Sequence, residues 1–150
     1  MQDFVNAHLA DAEKAAGLIG TDAADILALS GYESKWGAGD YIAPNGPFTG
    51  NAFFSLEAEV PQQDSPRPPL LWDSTGWSQP SSQKNQDNMY AIVAGYASYY
   101  DAAMGFVNKF GGMFYGVTDP TQFAKIATSA YGINVATFVS IVNTLVTRCM

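Results

Sequence analysis

The sequence predicts an α+β fold in which helices dominate. Apolar residues recur at helical spacing at both ends of the chain. Between them, about residues 40–86 hold seven of the eight prolines, at positions 44, 47, 61, 66, 68, 69 and 80. Proline removes a backbone donor and fixes φ, so this stretch favours turns and short strands over helices. At 150 residues the chain fits one domain, 1–150, with the irregular lobe inserted after the second helix. No internal repeat is present.

The elements follow in order. Phe4, Val5, Leu9, Ala12, Ala16 and Ile19 share one face of a first helix, and Gly17 and Gly20 mark its exit. Thr21 or Asp22 can cap a second helix running through ILALSGYESKW, which Gly37 and Gly39 end. Inside the lobe, LLWDSTGW is the best strand-turn segment, and Phe53, Phe54, Trp72 and Trp77 supply a small packed cluster. Helical patterning returns with NMYAIVAGYASYYDAAMGFVNKF, broken near Gly95–Ser98. Asp119-Pro120 is a cap followed by proline at the first helical position, and Asn134 caps the last helix, VATFVSIVNTLV. Five or six helices are expected.

Composition excludes more than it assigns. Seven basic against fourteen acidic residues give a net charge of −7, which argues against nucleic acid, and the basic residues are scattered. An acidic surface gains nothing from anionic lipid, and no run of 18 apolar residues spans a bilayer. Cys149 is the single cysteine, so neither an internal disulfide nor a cysteine zinc site is available. His8 is the single histidine and reads as an ordinary packed residue of the first helix. With no usual set of ligands for a metal or organic cofactor, the chemistry falls to carboxylates, and the many aromatics suit an uncharged, ring-shaped ligand such as a sugar.

Glu33 is the carboxylate in the most telling place. At about 100° per residue from Ile26, Leu29 falls near 300°, Trp36 near 280° and Glu33 near 340°. The acid therefore sits on the apolar stripe of the second helix. Burial there disfavours the charged form, which is what a general acid needs to hold a proton near neutral pH. The negative end of the helix dipole acts in the same sense. Trp36, about one turn on, would wall the pocket of the acid, while Trp72 and Trp77 are candidates for stacking on sugar.

The segment ILALSGYESKWG resembles the catalytic-helix signature of the lysozyme-like superfamily. It is closest to the bacterial glucosaminidase family of autolysin domains and flagellar muramidases. Glu33, Ser34, Trp36 and Gly37 match the signature in order. GNAFFSLEA resembles the Asn-x-Phe-Gly-Ile-Lys segment of that family, with Phe54-Ser55-Leu56 departing from Phe-Gly-Ile. GYASYYDAAMGF is similar to its Tyr-x-Ser-x-x-x-Ser segment through Tyr96 and Ser98, with Ala102 in place of the second serine. FAKIATSAYG resembles the helix that ends in Gly-Tyr, in the order Ala130-Tyr131-Gly132.

The resemblance implies a lysozyme-like fold and cleavage of β-1,4 bonds in peptidoglycan glycan strands, as an N-acetylglucosaminidase or muramidase. It gives Glu33 the role of proton donor, makes Tyr131 a catalytic-cleft residue, and places Phe54 and Tyr96 among the substrate contacts. It puts the second carboxylate in the small lobe, where Asp73 is the first choice and Glu57, Glu59 and Asp64 are rivals. Asp40, with Thr49 nearby, would instead suit a phage-type lysozyme arrangement. Without a second carboxylate the N-acetyl group could serve as nucleophile, or the outcome could be lytic transglycosylation by one Glu. A non-catalytic glycan-binding module of the same fold is the rival from another class, and a purely structural helical protein is the third. The expected site holds neither metal nor cofactor, and the expected state is a monomer. MQDFVNAHLADAEKAAG has no signal-peptide pattern. Action in the periplasm or cell wall of a target bacterium would then need a dedicated secretion system, a phage, or a longer parent chain. An injected effector would need an immunity protein as partner.

Overall fold

A hydrophobic stripe needs a stop signal to become a helix of definite length, and glycine supplies the first one. Helix α1 (Gln2–Ile19) buries Phe4, Val5, Ala12, Ala15, Ala16 and Ile19. It ends where Gly20 turns left-handed at φ 67° and donates its N–H to Ala16 O. The computed structural model describes residues 1–44, 49–57, 80–84 and 90–150. Among these, four further helices follow: α2 (Ala23–Glu33), α3 (Tyr99–Phe114), α4 (Pro120–Tyr131) and α5 (Val135–Arg148). Strands β1 (Pro80–Lys84) and β2 (Tyr90–Ile92) pair antiparallel, with Pro80 opposite Ile92 and Lys84 opposite Tyr90 across an irregularity in the register. The fold is mainly α, as the sequence predicts.

Two expected boundaries move. The apolar run Tyr90–Val93 is strand and bridge rather than helix. Tyr90–Ile92 form β2, and Val93 continues into an isolated antiparallel bridge with Glu57. Short apolar runs satisfy both periods, so tertiary pairing decides between them. Helix α3 then starts at Tyr99, with Ser98 Oγ accepting the Asp101 N–H at 3.1 Å. Helix α2 stops at Glu33 instead of running on to Trp36. Lys35 and Trp36 are left-handed at φ 49° and 56°, so Trp36 lies off the helical wheel used to place it on the stripe.

The described residues form two compact units, one of Met1–Tyr32 with Val107–Met150, the other of Glu33–Phe106. In the first, Phe123 is the centre of an aromatic row. Its ring lies 4.4 Å from Phe114 and stacks on Phe138 at 5.5 Å. Asp119 and Asn134 cap α4 and α5 as their sequence positions predict, accepting from the Thr121 and Thr137 N–H groups. Between these helices, Gly132 is left-handed and Thr128 Oγ1 reaches both Ala124 O and Ile133 O. His8 packs edge-on against Phe4 at 4.7 Å, and burial lowers its pKa against the pull of Asp11. It is a packed residue of α1.

Helix α2 has no polar face over most of its length. Every residue from Ala24 to Gly31 is buried, and Ser30 returns its hydroxyl to Ile26 O at 2.9 Å. One charge-bearing group is enclosed with them. Asp25 is 0% exposed, and its carboxyl oxygens have no hydrogen-bond partner among the described residues. Burial first, then the neighbouring Asp22 and Asp119 carboxylates, push its pKa up to about 7. Thr21 opposes the rise, but the Thr21 hydrogen is directed to Val117 O at 2.5 Å.

A raised carboxyl pKa makes the folded state hold its proton longer than the unfolded chain does. The contribution of Asp25 is therefore complete below the ordinary value of 3.8 and is lost as pH rises to about 7. At about 1.4 kcal/mol per pH unit, the loss is about 4–5 kcal/mol. Asp25→Asn removes this titration. Its denaturation midpoint is expected to stay level across the same interval and to exceed that of the wild type at about pH 8. Parallel curves for the two proteins would contradict the assignment.

Candidate active site

The site begins where α2 ends. Ser34 captures the chain after Glu33: its carbonyl accepts the Gly37 and Gly39 N–H groups at 3.1 and 2.9 Å, and its Oγ accepts the Gly37 N–H at 3.0 Å. The segment that follows returns against residues 50–52, with the Asn51 N–H on Ile42 O at 2.9 Å and the Ala52 N–H on Tyr41 O at 3.2 Å. Gly50 is required in this pairing. It is left-handed at φ 76°, and a Cβ there would collide with the Ile42 carbonyl oxygen.

These stretches enclose a cavity of about 160 Å³, lined by Glu33–Lys35, Gly39–Ile42, Ala52 and Ser55. Glu33 is half-buried at its wall. Burial raises its pKa, and a hydrogen bond from the Ser55 hydroxyl acts in the opposite sense. Such a carboxyl holds a proton longer than an exposed one and still faces open volume, which are the two requirements of a general acid. Asp40, an exposed residue, lines the same cavity. Among the described residues no cluster of histidine, cysteine, aspartate and glutamate fits a metal ion.

The other residues singled out in the sequence fall elsewhere. Trp36 is half-buried in the same unit and is not among the residues lining the cavity. Phe54 and Tyr96, expected as substrate contacts, are each 1% exposed and serve the core instead. Phe54 stacks on Phe106 at 5.0 Å and lies 5.7 Å from the Tyr99 ring. Tyr96 is pinned through its backbone, its N–H to Gly50 O and its carbonyl to Asn51 Nδ2, both at 3.0 Å. Tyr131 is the last residue of α4 in the other unit, half-buried with its ring 5.5 Å from Phe110. Glu57 is exposed in its bridge with Val93. Trp72, Asp73 and Trp77, with the rivals Glu59 and Asp64, lie outside the described residues. Ser55 was not singled out from the sequence. Its one signal there is the serine standing where the resembled segment has glycine.

Known structures place this architecture. A chain of a type VI secretion system effector–immunity complex from Pseudomonas protegens superposes with a TM-score of 0.68 at 20% identity, over 98% of this chain and 92% of that one. The peptidoglycan hydrolase of Sphingomonas sp. A1 gives 0.68 at 20% identity, over 95% and 88%. A C-terminally truncated glycoside hydrolase domain of FlgJ from Salmonella typhimurium gives 0.64 at 17%, over 96% of each chain. The chain shares their fold. The sequence matches no protein-family model and no curated protein at a significant level. At these identities the likeness is one of architecture, and the chemistry must be argued from the site.

The core behind the site makes a prediction of its own. A Cβ at Gly105 would lie 2.5 Å from Tyr96 Oη and 2.9 Å from its Cζ. Replacing a mid-helix glycine by alanine ordinarily raises stability by about 1 kcal/mol. Here Gly105→Ala is expected to lower it by about 1–3 kcal/mol through overpacking against Tyr96. In the background Tyr96→Leu, the same alanine should recover most of that loss. Chemical denaturation of the four proteins gives the coupling between the two positions.

Proposed function

We propose that the chain is a glycoside hydrolase of peptidoglycan in which Glu33 protonates the leaving glycosidic oxygen. The observation that carries this reading is the half-buried Glu33 carboxyl, raised in pKa by burial, at the wall of a cavity that also holds Asp40. The shared fold with peptidoglycan hydrolases supports the choice of substrate. Glycoside hydrolysis ordinarily pairs such an acid with a carboxylate that activates water or stabilises the oxocarbenium-like transition state. Asp40, which lines the cavity, and Asp73, from sequence resemblance, are the candidates for that role.

The same reading places the action at the cell wall, in the periplasm of a target bacterium. A role as an injected antibacterial effector, with an immunity protein as partner, draws support from the likeness to the Pseudomonas protegens chain. A lytic transglycosylase, which needs Glu33 alone, is the second reading and holds where Asp40, the one other carboxylate among the described residues lining the cavity, takes no part in turnover.

Purified sacculi digested by the wild type and by Glu33→Gln test the proposal. Loss of the general acid is expected to lower kcat by about 10²–10⁴-fold with little change in KM. Activity of the wild type should fall as pH rises through the Glu33 titration, because the protonated form is the working one. Mass spectrometry of the ends separates the outcomes: reducing GlcNAc or MurNAc means hydrolysis, and anhydroMurNAc means transglycosylation. Sacculus lysis that survives Glu33→Gln would sink the reading. Asp40→Asn and Asp73→Asn, assayed alongside, identify the second carboxylate by which one abolishes turnover.

A further inference from the structure

Ser55 occupies a conformation that a serine adopts at a cost. Its φ is +48°, in the left-handed region where glycine is at ease and a Cβ is crowded. The local turn does not call for a side chain, since its hydrogen bond runs from the Ser55 N–H to Ala52 O at 3.2 Å through the backbone alone. Glycine would make the same turn without the strain, and the Phe-Gly-Ile segment that this stretch resembles has glycine here. What the serine adds is one hydroxyl, on a residue that lines the same cavity as Glu33 and acts on its carboxyl as a side-chain hydrogen-bond partner. Strain held beside a reactive group points to a task for the strained residue.

We propose that Ser55 is the positioning residue of the acid, its hydroxyl donating to the Glu33 carboxyl and fixing the face it turns to the cavity. The inference rests on the reading of Glu33 as general acid, though the pairing itself is independent of any substrate. Ser55 makes no bond to substrate in this scheme and acts through Glu33. A donor on the carboxylate favours the charged form, so Ser55 counters the upward push of burial and keeps the carboxyl able to give up its proton. The serine thus trades backbone ease for control over when the acid titrates.

Two variants separate this role from a structural one. Ser55→Gly removes the hydroxyl and relieves the left-handed strain, so its melting temperature should hold or rise. Ser55→Ala removes the hydroxyl and keeps the strain. Glu33 is followed by carbon-13 NMR of its side-chain carboxyl in the free protein, with the resonance assigned through Glu33→Gln. In both variants the titration midpoint of Glu33 is expected to move upward. On sacculi, kcat should fall about tenfold from loss of orientation, with KM unchanged and the alkaline limb of the rate profile displaced upward. A midpoint that stays in place in both variants overturns the proposal, whatever the activity. An upward shift in a protein that leaves sacculi intact upholds the Ser55–Glu33 pairing while the glycosidase reading fails.

Discussion

The end of helix α2 is the constraint on which the candidate site depends. A helix buried from Ala24 to Gly31 cannot carry a carboxylate along its middle without enclosing it. It can carry one at its last residue, provided the chain turns away at once. Lys35 and Trp36 do so in left-handed conformations that cost on the order of 1–3 kcal/mol each in non-glycine residues. Ser34 offsets part of this by gathering the next N–H groups onto its own carbonyl and hydroxyl. One more helical turn would replace this reversal and the cavity it opens beside Glu33 with helix surface.

The two acids of α2 show what burial alone does and does not provide. Asp25 and Glu33 both have raised pKa values, with burial as the first cause in each. Asp25 stands in the first turn, where the helix dipole favours a carboxylate, yet full enclosure and the charges of Asp22 and Asp119 outweigh it. Its full enclosure makes its ionisation a cost to stability. Glu33 stands in the last turn, is only half-buried, and has both open volume and a hydroxyl donor on it. A perturbed pKa marks a functional candidate only where a reactant can reach it.

The helical frame was largely legible because its signals are local. Gly20 at the end of α1, Asp119-Pro120 and Asn134 are read from a few neighbouring residues, and each acts as the physics of capping requires. The strand at Tyr90–Ile92 was not legible, since a three-residue apolar run fits a helix or a strand and is settled by a distant partner. Glu33 was singled out as an acid among apolar residues, and it stands half-buried at a cavity wall, although α2 stops at that residue. Phe54 and Tyr96 show the opposite error. Their order along the chain resembled a binding segment, but nothing in a motif says which face of a loop turns inward. Asp40 reaches the cavity through the return of residues 39–42 onto 50–52, a pairing that spacing alone does not show.

The size of the cavity bears on how a glycan strand would be held. Pockets that enclose a small ligand run from roughly 300 Å³ upward. At about 160 Å³, the volume lined by the described residues is below that range. Its lining is mixed, with Glu33, Lys35 and Asp40 beside Ile42 and Ala52, which suits a reacting centre more than a stacking platform. The two functions of a glycosidase site are then divided along the chain. On the proposed reading, Glu33 and the residues lining its cavity act on the reacting oxygen, and ring contacts come from other residues. Trp72 and Trp77 remain the residues best suited by chemistry to supply them. Binding energy from those remote sugars would be used to orient the bond at Glu33, so that shortened substrates lose turnover as well as affinity.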